Sequence, residues 1–191
     1  MVTTRNSRDD VVRAAGRLFA DRGYHGTSMR DLGKELGLLG SSLYSHVSSK
    51  QDLLVEVIEE GARLFEESAE RALATPGDAS DRLDALIAGH VAVVLDNIEV
   101  ARTFLNEARL LDDEHRSRII DARDHYEDAF RTVIREGIAD GSLGKKVDPK
   151  ITSIFILSIL NAIERWYRSD GELDRDALVA RLSAFAREAI S

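Results

Sequence analysis

The chain has 191 residues, 43% of them apolar, no cysteine, and 26 Lys and Arg against 34 Asp and Glu, a formal net charge of −8. That composition describes a globular chain long enough to bury a core, and it excludes disulfides and thiolate chemistry. Apolar runs such as Val91–Leu95 and Ile154–Leu157 are too short for a membrane helix, and MVTTRNSRDD lacks the apolar stretch of a signal peptide, so a cytoplasmic protein is expected.

Helical periodicity runs through the whole sequence, and an all-α fold is expected. From Ser7 to about Arg22, the residues Val11, Val12, Ala15, Leu18 and Phe19 form one stripe that ends at Gly23. Ser28 starts a second helix, with Asp31 at capping-box spacing, and Gly37 stops it after Leu36. A short third helix covers roughly Gly40 to His46. Ser48 and Ser49 then open a long fourth helix, whose inner face carries Leu53, Val57, Leu64 and Phe65 and which ends before Thr75-Pro76-Gly77. Further helices are expected over about 79–96, 100–111 and 113–140. Asp148-Pro149 opens a strongly apolar helix to Tyr167, and Asp174 caps the last one, which runs to about Ala189.

Three short helices with a glycine-containing turn between the second and third read as a helix-turn-helix. At about 100° per residue, Leu43 and Val47 share the inner face of the third helix with Leu32 and Leu36 beneath them. Ser41, Ser42 and Ser45 then face outward, flanked by Tyr44 and His46. Small hydroxyls can approach base edges in a major groove, and the flanking Tyr and His can reach phosphates; a polar surface helix would show the same pattern. The charge is also divided: residues 1–50 carry 8 basic and 5 acidic side chains (+3), whereas 51–191 carry 18 and 29 (−11).

The residues Ala14-Ala15, Leu18-Phe19-Ala20, Gly23-Tyr24, Thr27-Ser28-Met29-Arg30-Asp31-Leu32, Leu36-Gly37-Leu38, Ser42-Leu43-Tyr44, His46, Ser49-Lys50 and Leu53-Leu54, in fixed register, resemble the N-terminal signature of the TetR family of transcriptional regulators. The resemblance implies a helix-turn-helix DNA-binding head over 1–49 and a helical effector-binding and dimerisation domain over 50–191. It implies a homodimer through the last two long helices, bound to a palindromic operator and released by a small effector. Thr27, Ser28 and Arg30 would hold the backbone beside the groove; Ser41, Ser42, Tyr44, Ser45 and His46 would lie in or beside it; and Lys50 would bind a phosphate. A helix N-terminus with an ammonium suits that last role independently. The fourth helix, long enough to join head to body, would serve as the lever. The sequence departs from the family pattern at Leu39, where a Ser or Thr often caps the recognition helix, at Val47 (usually Phe) and at Gly33 (usually Ala).

The middle helices offer an apolar lining with few polar residues: Leu86, His90, Val94, Phe104, Leu105, Ala108, Tyr126 and Phe130, with Asn161 and Arg165 nearby. Such a lining suits a hydrophobic effector. Arg165-Trp166-Tyr167-Arg168 and Gly171, with Leu39 to Tyr44, resemble family members that respond to acyl-coenzyme A thioesters, whose phosphates Arg102, Arg109 and Arg165 would meet. The segment Ile154–Tyr167 is apolar nearly all round, as at a subunit interface or in an intrachain core. Asp121 and His125, four apart, lack the second ligand pair of a metal site. No metal, no cofactor and no catalytic motif is expected, so the chain reads as a non-enzyme. The rival is a helical small-molecule-binding or adaptor protein that does not bind DNA.

Overall fold

The computed structural model describes residues 7–38, 43–45, 47–144 and 147–190. Among them the regular elements are helical: α1 Arg8–Arg22, α2 Met29–Leu36, α3 Lys50–Leu73, α4 Ala79–Asp96, α5 Ile98–Glu107 with a 3₁₀ turn Ala108–Leu110, α6 Asp113–Asp140, α7 Pro149–Asn161, α8 Ile163–Trp166 and α9 Arg175–Ala189. They form two compact units, one drawn from Met1–Ala62 and Asn97–Ile119, the other from Arg63–Asp96 and Ile120–Ser191. The first therefore reaches well beyond the expected head at 1–49.

In the first unit, helix starts are written by their caps. Ser7 and Ser28 each accept from the backbone N–H three residues on, and Asp10 and Asp31 accept from the cap N–H in return. Those bonds hold both carboxylates below their ordinary range, the Ser7 backbone bond leading at Asp10 and the Ser28 hydroxyl at Asp31. Gly37 ends α2 in the left-handed region (φ 64°), so that its N–H reaches Lys34 O at 3.2 Å and the Leu38 N–H reaches Gly33 O at 2.8 Å. The glycine at 33 fits this closure: a Cβ there would stand 3.1 Å from the Leu38 carbonyl oxygen.

α1 buries Val11, Ala14, Ala15, Leu18 and Phe19 and packs against α2 and α5. A Cβ at Gly16 would lie 3.4 Å from Val100 and 3.6 Å from Val57, so α1, α3 and α5 converge there. At Gly61 the approach is closer still: a Cβ would sit 2.5 Å from that of Phe104, so α3 and α5 pack backbone to ring. Burying these side chains supplies the driving force, at about 25 cal/mol per Å² of apolar surface.

In the second unit α4 packs against α7, α8 and α9. Asp148 accepts from the N–H groups of Lys150 and Ile151 ahead of Pro149, and Asp174 accepts from Ala177 N. The apolar helix expected to run to Tyr167 divides at Ala162 into α7 and α8. Only one stripe of it is buried, Ser153, Ile156, Leu160, Ile163 and Glu164. Ile151, Ile154, Phe155, Ile159 and Trp166 remain on the surface, as does Phe185 of α9.

Candidate DNA-binding head and effector core

Of the predicted DNA contacts, Ser41, Ser42 and His46 lie outside the described residues, as does Leu39. Those described nearby follow the periodicity. Leu43 and Val47 are buried, their backbones joined by a helical Val47 N–H to Leu43 O bond of 3.3 Å, while Tyr44 and Ser45 are exposed. Leu32 is fully buried and Leu36 partly so. Arg30 is exposed in the first turn of α2, two residues after the Ser28 cap.

Thr27 and Lys50 point inward instead. The Thr27 side chain is buried and its hydroxyl shares a donor between Leu18 O (3.1 Å) and Gly23 O (3.0 Å). The Lys50 ammonium donates to Tyr24 O and Thr27 O, both at 2.9 Å, and stands 4.1 Å over the Tyr24 ring. The Tyr24 hydroxyl donates to Gln51 Oε1 at 2.9 Å, and Gln51 Nε2 donates to Leu110 O at 3.3 Å. Burial pushes the Tyr24 phenol up, so it stays a donor. Arg8 pairs bidentately with Glu56 at 2.7 and 2.9 Å, an exposed pair of small energetic weight.

The predicted effector lining divides between the units. Phe104, Leu105 and Ala108 belong to the first, where the Phe104 ring faces Gly61. Leu86, His90, Val94, Tyr126, Phe130, Asn161 and Arg165 belong to the second. There, His90 is 1% exposed and sits in an aromatic cluster, with Phe65 at 4.9 Å and Tyr126 at 6.0 Å between ring centroids and Phe130 5.6 Å beyond Tyr126. Sequence reasoning placed Phe65 on the inner face of its helix without joining it to this group. His90 Nδ1 lies 3.2 Å from the Tyr126 hydroxyl, and its buried Nε2 completes no hydrogen bond among the described residues. Burial lowers the imidazole pKa to about 3, the Leu160 backbone opposing more weakly, so the ring is neutral. Burial also raises the Tyr126 phenol, which keeps its proton. Asn161 is half-buried; Arg165 is exposed and approaches the buried Glu164 carboxylate at 3.2 Å.

Asp121 and His125 are both exposed, and no three potential metal ligands come together among the described residues. No helix there is long and apolar enough to cross a membrane.

Residues 11–57 match the family described as "Bacterial regulatory proteins, tetR family", and residues 76–190 match "Tetracyclin repressor-like, C-terminal domain". The HTH-type transcriptional repressor KstR2 of Mycolicibacterium smegmatis is 26% identical over 170 residues, 88% of this chain and 83% of that one. Among solved structures, the TetR family regulator PfmR from Thermus thermophilus superposes with a TM-score of 0.86 at 28% identity, over 93% of this chain and 97% of that one. AibR, solved in complex with isovaleryl coenzyme A and operator DNA, gives 0.85 at 26%, over 93% and 96%.

Proposed function

The chain belongs to the TetR family of bacterial regulatory proteins and is a ligand-responsive, DNA-binding transcriptional repressor of that type; on that premise we propose that it acts in the cytoplasm as a homodimer on a palindromic operator and is released by an acyl-coenzyme A thioester. Ser41, Ser42 and Ser45 are assigned to base edges, and Arg30, Tyr44 and His46 to the flanking backbone. Two such heads must stand about 34 Å apart to enter successive major grooves. An effector that favours another separation by roughly 1–3 kcal/mol suffices for release.

One observation carries the effector class. His90 is buried and uncharged, held by the Tyr126 hydroxyl on one side and drawn toward the Leu160 backbone, while its buried Nε2 completes no full hydrogen bond amid aromatic side chains. When Tyr126 donates to Nδ1, Nε2 carries the proton and offers one donor and no charge. That chemistry suits the neutral carbonyl of an acyl thioester better than a carboxylate, which would enter with its charge unpaired. The bound isovaleryl coenzyme A of AibR supports the same class.

The homodimer is supported by the uncovered apolar faces of α7 and α9. Ile151, Ile154, Phe155, Ile159 and Trp166 lie outside the buried stripe of α7 and α8, and Phe185 lies outside that of α9. Large apolar side chains exposed in this way suit burial at a subunit interface.

Calorimetry with acyl-coenzyme A esters of increasing chain length, the matching free acids and unrelated hydrophobic drugs tests the effector class. Each ligand is then titrated into the protein bound to a duplex that the protein has selected. Thioesters are expected to bind and release the duplex; release by another ligand class alone would reject the assignment.

A further inference from the structure

We propose that Lys50 and Gln51 are positioning residues that set operator affinity without touching DNA. The inference rests on the DNA-binding function and concerns how the head is held. These two neighbours open α3, and between them they bind three separate stretches of chain. Lys50 grips the carbonyls of Tyr24 and Thr27, at the two ends of the connection from α1 to α2. Gln51 joins the Tyr24 hydroxyl to the Leu110 carbonyl in the 3₁₀ turn after α5. Thr27 is pinned in turn to Leu18 and Gly23, and the next residue, Ser28, is the N-cap from which α2 sets out. The start of α2 is thereby fixed to the first turn of α3 and to the segment after α5, all within one compact unit.

The resemblance to the family implies a phosphate for Lys50. Here two of its three donors are committed to half-buried carbonyls and its charge stands over the Tyr24 ring. Turning the ammonium toward DNA would break both bonds, leaving the Tyr24 carbonyl with only the 3.3 Å bond from the Thr27 N–H and the Thr27 carbonyl without its lysine donor, a loss that offsets the benefit of reaching a phosphate.

Salt dependence separates positioning from contact. The full-length protein first selects a duplex from a random pool, and affinity for that duplex is measured across salt concentrations for Lys50→Met, Gln51→Leu and Tyr24→Phe. Lost bonds of this kind predict roughly tenfold weaker binding for Lys50→Met and roughly threefold for the other two. The slope of log affinity against log salt is expected to match wild type in every case. The double variant Tyr24→Phe with Gln51→Leu is expected to bind no more weakly than Gln51→Leu alone, since the two share one hydrogen bond. A slope shallower by about two for Lys50→Met, one phosphate lost at each head of the dimer, would overturn the assignment. So would unchanged affinity per folded dimer with only a lower melting temperature, which marks a packing role. Tyr24→Phe removes one oxygen atom and keeps the test decisive should Lys50→Met not fold. A wild-type protein that selects no duplex would overturn both this inference and the repressor function.

Discussion

In the first unit, polar groups fasten short segments to one another: two capping boxes, a threonine under a turn, a lysine across two carbonyls, a glutamine between a phenol and a backbone oxygen. In the second, the interior is aromatic and aliphatic around one neutral imidazole, and a row of large apolar side chains is left on the surface. The first arrangement defines the orientation of a small reading surface, because directional bonds fix angles that apolar packing leaves loose. The second defines an aromatic core with a neutral polar centre and an apolar face on the surface. A ligand-controlled DNA reader needs both a fixed orientation and an apolar interior, and here they are built from different chemistry.

The largest effect is expected where the apolar face is charged. Phe155→Asp places an unpaired carboxylate on the surface assigned to the dimer, and Ile159→Asp does the same one turn on. Each is expected to convert the wild-type dimer into monomers in sedimentation and to lower operator affinity at least about a hundredfold, because a single head loses the second half-site. A wild-type chain that sediments as a well-folded monomer at micromolar concentration would end the interface assignment.

Next is the buried imidazole. Its folded pKa of about 3 lies below the unfolded value of 6.5, so between those limits the unfolded chain holds a proton that the folded chain refuses. Stability from His90 is therefore fully present above about pH 6.5 and declines as pH falls toward 3, at a limiting rate of roughly 1.4 kcal/mol per pH unit. Denaturant unfolding from pH 7 to 4.5 is expected to show this slope in wild type and a flatter one in His90→Phe. Equal slopes would mean that the ring is hydrated.

The smallest effect belongs to the head. Ser28→Ala removes one side of the α2 capping box and is expected to cost about 1 kcal/mol, read as a lower melting temperature. The difference is expected to shrink as pH drops below the ordinary carboxylate range: Asp31 loses its stabilised ionised form there, so the box weakens in wild type too.

Much of this was legible in the sequence where the cause is local. Ser7, Ser28, Asp148-Pro149 and Asp174 mark helix starts because a cap needs only the next three residues. Leu43 and Val47 face inward as their spacing requires. Contacts set by chains far apart were not legible. Nothing in the neighbourhood of Lys50 says that carbonyls 23 and 26 residues earlier will stand beside its ammonium. Likewise, Phe104 and His90 read as one lining because both are apolar-face residues of middle helices, yet they belong to different compact units. The composition of α7, apolar all round, left core and interface undivided; only packing against α4 shows that 153, 156, 160, 163 and 164 form the inner stripe.

The outward row on α7 and α9 has a genetic consequence. In the proposed homodimer, a subunit with a damaged head would keep Phe155, Ile159, Trp166 and Phe185 intact and would pair with undamaged copies as readily as they pair with each other. Such mixed pairs hold one working head and cannot span a palindrome. On the proposed dimer, head mutations are therefore expected to be dominant: with equal amounts of both chains, random pairing would leave only about a quarter of the dimers whole. Mutations that destroy the apolar row are recessive, because the altered chain removes only itself.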